Sequence, residues 1–467
     1  MTDERQATAA ALRELSAWVA NTDTAKIPDA VLARGAQVLA DDLAVIIGAR
    51  AEPQVTRFHE RVLQRAASPE ATVFRGGRGR TDRLFAAVAN GVAADWLELD
   101  EGYRITSCHA GLYVVPALLA EAEATNLPLA AMLRALVLGY EVATRLARAW
   151  VDPTGAQHSH ARYSAPGAAA AIGAARRLTG DEMLAALGNA VTLVCAGPRK
   201  HLVDGALVRN VWPAVGAWSG MMSVEWAQCG IGGIAESAYD AYSTLLGYQV
   251  DPAVLTHGLG ESWAVLDGYT KLYACCQHLH STVEAALELR SAILERGGLD
   301  RVDAIEVETH DFAMKLVNPS PDTILAGKFS LPHAVATTLV TATAGADAFA
   351  TAQLDQPVIA ALRQRVRMAP YQPPQAPPND RPSRITVRFV DGKRVTGECL
   401  SARGGSDRPF GRPELLAKLA ELTAGIYPAA PAVLESLIDL APRRKHQGWA
   451  DIVGDICGAA TARAAAE

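Results

Sequence analysis

Ionisable side chains are concentrated between two apolar segments of this chain. The stretch ADWLELDEGYRITSCHAG, residues 94–111, contains Asp95, Glu98, Asp100, Glu101, Arg104 and His109. It follows LFAAVANGVAADW and precedes GLYVVPALLAEAEA, and both of these runs are typical of buried helices. A connection between packed helices needs only turn residues. Carboxylates, a guanidinium and an imidazole at this position therefore indicate acid–base chemistry.

Three further polar clusters lie at predicted helix ends. They contain His158, His160, Arg162 and Tyr163; then Lys200, His201 and Arg209; then Lys271, Cys275, Cys276, His278 and His280. One such cluster is more often a solvated loop or a helix cap. Four of them together favour a single pocket, because cations and exposed N–H groups at helix N-termini attract negative charge. The ligand predicted from this pattern is a small carboxylate.

A metal site is not predicted. His158/His160 and His278/His280 are pairs at i, i+2, and side chains at that spacing on a helix diverge by about 200°, so one face cannot present both to an ion. Dinucleotide, phosphate-loop, His-Glu-x-x-His and Gly-x-Ser-x-Gly motifs are also absent from the sequence. We therefore expect chemistry carried by side chains, with no cofactor.

Composition excludes several other classes of function. The 467 residues are 50% hydrophobic with a net charge of −6, which argues against nucleic-acid binding. No uninterrupted apolar run approaches the roughly 20 residues that span a bilayer, and the charged, amphipathic N-terminus is unlike a signal peptide. The seven cysteines contain no Cys-x-x-Cys pair and are predicted to be reduced thiols. We expect a cytoplasmic protein that has neither nucleic acid nor membrane as a partner.

The elements that must position these clusters are mainly helical. Alanine and leucine recur at helical spacing in residues 7–20, 29–48, 84–98, 112–124, 128–150, 164–178, 181–195 and 211–228. After about residue 300 the pattern changes: RVDAIEVETH predicts a strand, LAGKFSLPHAVATTLVTATAG a helix, and SRITVRFVDGKRVTGECL a hairpin turning at Asp391-Gly392. The Pro-rich segment 369–383 is predicted to be a loop.

This pattern predicts a mainly α fold with three segments. Residues 1–265 form the first part of an all-helical domain, residues 266–405 form a smaller α+β domain, and residues 406–467 form a helical tail that returns to the first domain.

The order of several blocks resembles the 2-methylcitrate dehydratase family (MmgE/PrpD), which includes cis-aconitate decarboxylase and iminodisuccinate epimerase. The blocks are AVANGVAADWLELDEG, GYEVATRLARA, GAAAAIGAARRLTGD, GMMSVEWAQCGIGG, KLYACCQHLHSTVEAALEL and GKFSLPHAVATTL. The resemblance covers about residues 10–440. It implies that the α+β domain is a lid, that the site lies at the domain junction, that the protein is a homodimer, and that cofactor-free chemistry takes place beside a carboxylate.

The family's acidic motif, Asp-x-Asp-Asp-Thr, corresponds here to residues 98–102. Glu98 replaces its first aspartate, Asp100 and Glu101 follow, and Gly102 replaces the threonine. His109 matches the histidine after this motif, one residue further along. The resemblance implies that Asp100 and His109 are catalytic and that Glu98 contacts substrate.

The remaining family positions fall on the later clusters. His160 is the best match for the second histidine, with His158 as a competitor, and the substrate lysine falls on Arg209, with Lys200 as the alternative. The matches to other family positions are Lys271, Cys276 in place of the decarboxylase histidine, His280, and His333 in place of a tyrosine. The resemblance implies catalytic roles for His160, Lys271 and Cys276, and substrate contacts for Lys200, Arg209, His280 and His333.

These residues permit more than one reaction. Removing a proton next to a carboxylate builds an enolate-like dianion, which Arg209, Lys271 and Arg104 would stabilise. Histidine ordinarily titrates near neutral pH, so His109 and His160 are candidate bases. The predicted function is a lyase of the hydro-lyase type acting on a small di- or tricarboxylate.

The alternatives are an epimerase of an amino- or imino-dicarboxylate, a decarboxylase, and a non-catalytic carboxylate-binding protein. Epimerisation requires two bases that flank one carbon, and Cys276 could be the second if Lys271 and a helix N-terminus lower its pKa. The same thiol could instead be a small packing residue. In the opening stretch we expect Asp100 to face the cleft and orient a histidine or a cation, and Asp95 and Glu101 to face solvent or a dimer partner.

Overall fold

The computed structural model describes residues 2–65, 67–77, 79–194 and 196–458, so Cys195 and the end of the predicted tail lie outside the described residues. The helices are α1 (Thr2–Asn21), α2 (Asp29–Gly48), α3 (Pro53–Leu63), α4 (Arg83–Ala94), α5 (Ala110–Ala124), α6 (Leu129–Ala149), α7 (Ser159–Ala175), α8 (Gly180–Thr192), α9 (Lys200–Val203), α10 (Trp212–Gln228), α11 (Ala253–Thr256), α12 (His280–Glu295), α13 (Ile324–Lys328), α14 (Leu331–Thr341), α15 (Thr351–Leu354), α16 (Pro357–Arg363), α17 (Arg412–Thr423), α18 (Ala430–Ile438), α19 (Pro442–Lys445) and α20 (Trp449–Ile456). No helix within the described ranges is both long and apolar enough to span a bilayer.

The strands form one larger sheet and three two-stranded ladders. They are β1 (Ala71–Val73), β2 (Gly79–Thr81), β3 (Gly102–Tyr103), β4 (Trp150–Val151), β5 (Gln249–Val250), β6 (Gly268–Tyr269), β7 (Val302–Thr309), β8 (Val366–Pro370), β9 (Ser383–Phe389) and β10 (Arg394–Cys399). The larger sheet has the order β10-β9-β7-β8, with β7 and β8 parallel and the other pairs antiparallel. Helix α12 packs on β9 and β10, and α14 packs on α12. The mainly α fold with a smaller α+β part is thus confirmed.

Helix α7 is central to the helical core and packs against α5, α6, α8 and α10. Its alanines, with Gly216 and Gly220 on α10, allow the two helix backbones to approach closely. A Cβ at either glycine would overlap atoms of Ser164 or Ala168. The small residues of α7 thus bring the start of this helix, with its histidines, deep into the protein.

Two predicted elements differ in detail. The helix predicted over 84–98 ends at Ala94, because residues 95–100 turn away from the helix axis and Glu98 adopts a positive φ of 54°. The helix predicted after residue 324 is broken into α13 and α14, and the Ser330 side chain caps α14 by accepting the backbone N–H of His333.

The strand prediction at 302–309 and the hairpin at Asp391-Gly392 are confirmed by β7 and by the β9–β10 pair. A register shift between Val302 and Ala304 explains why the apolar residues Val302 and Ile305 are three positions apart. The short strand β8 was not predicted, and its last two residues begin the segment that we predicted to be a loop.

The helices of the tail contact the first part of the chain. Helices α17 and α18 pack on α2, and α20 packs on α5. These contacts are those expected of a returning tail, while the exact limits of the three predicted segments stay predictions.

Candidate active site

A cavity of about 270 Å³ lies where the helical part of the chain meets the α+β part. Its wall combines ionisable and aromatic side chains from distant parts of the sequence. The lining residues include Glu98, His109, His158, Arg199, Arg209, Tyr269, Lys271, Cys276, His278, Phe312 and Arg381. The four polar clusters of the sequence therefore meet at one place.

The short β3–β6 ladder joins the first cluster to the fourth. It pairs Gly102 with Tyr269 and Tyr103 with Gly268. A Cβ at position 102 would overlap the Tyr269 ring, which explains why this chain has glycine there. The ladder brings Asp100, two residues before Gly102, next to Lys271, two residues after Tyr269.

Two buried lysines hold the backbone of residues 96–99. Lys328 on α13 donates to the carbonyl oxygen of Trp96 at 2.7 Å, and Lys418 on α17 donates to that of Leu99 at 2.8 Å. Lys418 also pairs with Asp41 at 2.7 Å. The acidic loop is thus fixed from both sides by residues far along the chain.

Asp100 links a histidine to a cation. Its Oδ2 accepts a 2.6 Å hydrogen bond from Nδ1 of His109, and its Oδ1 lies 3.7 Å from Nζ of Lys271. Burial raises the pKa of Asp100, but Lys271 and His109 more than offset this, so the net pKa is well below its usual value. With Nδ1 bonded to a carboxylate, Nε2 of His109 is left as the basic nitrogen for a ligand.

Glu98 and Asp95 neutralise the second cation. Arg209, on the short helix Leu207–Val211, contacts Asp95 and lies 2.5 Å from Oε1 of Glu98. The other oxygen of Glu98 accepts a 3.2 Å hydrogen bond from Lys271. Burial lowers the pKa of Lys271, but Asp100 and Glu98 outweigh it and the net pKa is raised well above its usual value. Both cations are therefore charged and held in place.

The cavity is lined by His158, whereas His160 lies behind it. The rings of the two histidines are 4.2 Å apart, and His160 also contacts Tyr113 and Asp95, at 2.9 and 3.5 Å. Burial lowers the pKa of both histidines well below the usual value. Nδ1 of His158 accepts the backbone N–H of His160, so the proton of this neutral ring is on Nε2. His158 can thus donate a hydrogen bond.

Cys276 lies in the cavity wall, but its pKa differs from the expectation. Burial, followed by the nearby Glu98 carboxylate, raises the pKa of the thiol to about 11. Lys271 and a backbone hydrogen bond act in the opposite direction and are outweighed. The expected depression of this pKa is therefore corrected: at neutral pH the group is a thiol, which is a poor base.

Asp95 and Glu101 are fully buried within the chain, contrary to the expectation that they would face solvent or a dimer partner. Glu101 accepts the backbone N–H of Gly111 at 2.6 Å and the hydroxyl of Tyr140 at 3.0 Å, while Asp42 accepts its backbone N–H. Burial raises the pKa of Glu101 to about 7. Glu101 thus fixes the first turn of α5, directly after His109.

Four predicted substrate contacts lie outside the cavity lining. Lys200 is on the surface, with a side chain 79% exposed, and pairs with Asp204. Arg104 pairs with Asp380 at 2.5 Å. His280 and His333 are buried elsewhere, His280 against the carbonyl oxygen of Cys275 and His333 against Arg363. In the third cluster, Arg209 and not Lys200 lines the cavity.

Several lining residues were given no role by the sequence analysis, among them His278, which it had placed in the fourth cluster. Arg199 directly precedes the predicted Lys200, and His278 is two residues before His280. Arg381 lies at the end of the Pro-rich segment predicted to be a loop. The sequence did contain a signal for the first two, since both belong to clusters already identified, whereas Arg381 had none.

No group of three histidine, cysteine, aspartate or glutamate side chains within the described ranges is arranged to hold a metal ion. In the same part of the chain, Cys108, Cys229, Cys275, Cys276 and Cys399 are thiols outside any disulfide. The cavity can hold a small anion, remove a proton through His109, and stabilise the resulting charge through Lys271 and Arg209.

Both parts of the chain match models of known protein domains. Residues 13–248 match the MmgE/PrpD N-terminal domain, and residues 273–441 match the MmgE/PrpD C-terminal domain. The chain is 25% identical over 444 residues to cis-aconitate decarboxylase of Aspergillus terreus, covering 88% of this chain and 89% of that protein. It is also 25% identical over 446 residues to the cis-aconitate decarboxylase-like protein oryM of Aspergillus oryzae, covering 88% and 90%. This chain belongs to the MmgE/PrpD family.

Proposed function

We propose that this protein is a cofactor-free lyase of the hydro-lyase type that removes a proton next to a carboxylate of a small di- or tricarboxylate. The observation that carries the proposal is the hydrogen bond between Asp100 and His109 at the wall of a cavity that also contains Lys271 and Arg209. A base, its orienting carboxylate and two fixed cations are the groups that such a proton transfer requires.

The proposed reaction begins with His109. Nε2 of this residue takes the proton from the carbon next to the substrate carboxylate, and Asp100 stabilises the imidazolium that forms. Lys271 and Arg209 stabilise the enolate-like charge on the carboxylate. The electron pair then expels a hydroxyl group from the neighbouring carbon. His158 is a hydrogen-bond donor for that oxygen, and the proton held by His109 completes the water molecule.

Decarboxylation is the second candidate, because both named relatives carry that activity in their names. Loss of carbon dioxide leaves a carbanion, whose charge a conjugated second carboxylate would delocalise. Lys271 and Arg209 would stabilise that carboxylate, and a protonated His109 would then deliver its proton to the carbon. Epimerisation is less well supported, because the raised pKa of Cys276 leaves no second base at the position expected for it.

The test is a screen of citrate-like, aconitate-like and amino-dicarboxylate compounds by NMR in deuterated water. A hydro-lyase forms or hydrates a double bond and incorporates deuterium at the adjacent carbon. A decarboxylase releases carbon dioxide, and an epimerase exchanges deuterium into an unchanged skeleton.

The same screen separates an enzyme from a binding protein. His109→Gln should abolish deuterium incorporation in any of the three cases. If neither incorporation nor a product is seen with any compound that binds, the protein is a carboxylate-binding protein and the catalytic proposal fails.

We further propose that the protein is a homodimer, as the family resemblance implies, and that it is cytoplasmic. Light scattering coupled to gel filtration measures the mass of the assembly directly, and a monomeric mass would refute the dimer. Localisation of a tagged chain in cells of its source tests the compartment.

A further inference from the structure

The positive charges around the cavity are not equally compensated. Four cationic side chains line it: Arg199, Arg209, Lys271 and Arg381. Arg209 and Lys271 each lie within ion-pair distance of two carboxylates. Arg199 and Arg381, in contrast, have less carboxylate charge close to their guanidinium groups.

Arg199 has no carboxylate within 4.0 Å among the residues that the structure describes. Its guanidinium lies over the Phe312 ring, 5.2 Å from the centroid, and its Nε is buried without a hydrogen-bond partner. Burial lowers the pKa of this guanidinium, and the opposing effects of Cys276 and Asp152 do not offset it.

Arg381 is only weakly compensated. It donates to the side-chain oxygen of Gln277 and to the carbonyl oxygen of Arg104, and both acceptors are neutral. The nearest carboxylate, Asp380, is 3.8 Å from Nε of Arg381 and is engaged by Arg104 at 2.5 Å. Burial, with Arg104 as a second cause, lowers the pKa of Arg381 to about 10.

A chain of contacts links the two arginines along one part of the cavity wall. Phe312 lies beneath Arg199 and stacks on His278, with ring centroids 3.8 Å apart. The neighbour of His278 in sequence, Gln277, contacts Arg381. Arg199 comes from the helical part of the chain, and Arg381 comes from the loop before β9. This part of the cavity wall is therefore built from both the helical and the α+β parts of the chain.

We propose that Arg199 and Arg381 form a subsite for a second carboxylate of the substrate, in the same cavity as the Asp100–His109 pair. A partly desolvated guanidinium without a carboxylate gains more from an anionic ligand than one that is already paired. The substrate therefore carries at least two carboxylates: Lys271 and Arg209 bind the one next to the reacting carbon, and the two arginines bind the remote one. The assignment of Lys271 and Arg209 to the reacting carboxylate rests on the proposed function, whereas the subsite formed by Arg199 and Arg381 does not.

The experiment measures binding without requiring turnover. Succinate and butyrate are four-carbon probes that differ by one carboxylate, and their dissociation constants are measured by calorimetry or ligand-observed NMR. Wild-type protein should prefer succinate by on the order of tenfold, and Arg199→Gln or Arg381→Gln should each remove most of that preference. Lys200→Gln is the matched control, because Lys200 is adjacent to Arg199 but exposed and paired with Asp204, and it should leave the preference unchanged.

Charge-retaining variants protect the test against misfolding. Arg199→Lys and Arg381→Lys should keep part of the succinate preference, and thermal unfolding reports whether each variant folds. A wild-type protein that binds the two probes equally, or that binds neither, overturns the subsite. So does a succinate preference that survives both glutamine substitutions.

The result is separate from the outcome of the catalytic test. If the arginine-dependent preference is found but no compound exchanges deuterium, the subsite is retained and the lyase proposal fails. If exchange occurs without any such preference, the lyase proposal is retained and the subsite fails.

Discussion

The carboxylate of Asp100 accepts a 2.6 Å hydrogen bond from Nδ1 of His109. Asp100 is buried, with only 1% of its surface exposed. The same carboxylate lies 3.7 Å from Nζ of Lys271. One side chain therefore orients the candidate base and also neutralises a cation that lines the cavity. Removing its charge should affect both functions while leaving the shape of the site unchanged.

The first prediction concerns Asp100→Asn. The amide can still contact His109, but it cannot stabilise an imidazolium, so we expect kcat to fall by about a hundredfold or more. The substrate identified by the deuterium screen is used to measure kcat and KM. Asp204→Asn, which removes the carboxylate paired with Lys200, is the control and should leave both constants within about twofold of wild type. An Asp100→Asn enzyme with normal kcat would rule out the assigned role of His109.

The convergence of these residues could be predicted in part from the sequence. Four polar clusters at helix ends indicated one site, and the structure brings His109, Arg209, Lys271 and Cys276 into one cavity wall. The clusters could be recognised because burying a charged group in an apolar helical core costs free energy unless the group is paired. Charged residues grouped between apolar helices therefore indicate a polar site.

Within each histidine pair, however, the sequence did not show which member lines the cavity. His158 is the residue before α7 and lines the cavity, whereas His160 is in the first turn of the helix and lies behind the cavity wall. The same holds for His278, which precedes α12, and His280, which begins it. Helix starts cannot be placed to within two residues from periodicity, so the side chain that leaves the helix axis could not be identified.

Arg381 illustrates a second limit. It lies near the end of the Pro-rich segment 369–383, which has no periodicity. Only the pairing of β9 with β7 fixes where the loop formed by this segment ends. That pairing joins residues 74 positions apart where the loop ends, since Thr309 lies opposite Ser383. Long-range register of this kind is set by tertiary packing, which local sequence patterns do not record.

The second prediction concerns Cys276. Because burial raises the pKa of the thiol to about 11, alkylation by iodoacetamide at pH 7.5 should be slow, and its rate should keep rising with pH until about pH 11. Cys229, which is exposed, serves as the internal control, and mass spectrometry of the digested protein measures both rates.

The matching activity test is Cys276→Ala, which should retain kcat within a few-fold of wild type, since a neutral thiol provides no base. Rapid alkylation at neutral pH together with a hundredfold loss in Cys276→Ala would contradict this and would favour the two-base epimerase.

The third prediction concerns the burial of Lys271. Lys271→Met keeps the length of the side chain but leaves Glu98 and Asp100 without their shared cation, and breaking a buried pair in this way costs about 3–5 kcal/mol. Urea unfolding should show this loss, and turnover should fall because the substrate carboxylate also loses its cation. Lys200→Met is the control at an exposed position and should change the free energy of unfolding by less than about 0.5 kcal/mol. An active and stable Lys271→Met variant would argue against this location for the site.

The last prediction concerns the pH dependence of stability that arises from Glu101. Its pKa is raised to about 7 by burial, against 4.5 for the ordinary group, so between these pH values the folded protein keeps a proton that the unfolded chain releases. Stability therefore falls as pH rises through this window, by up to about 3 kcal/mol from this group alone. Glu101→Gln keeps an acceptor for the backbone N–H of Gly111 but cannot ionise. The free energy of unfolding of wild type minus that of Glu101→Gln should accordingly decrease from pH 5 to pH 7 and then level off above the folded pKa. Urea titrations at several pH values measure this difference, and a difference that stays constant or increases with pH would show that Glu101 is already ionised in the folded protein.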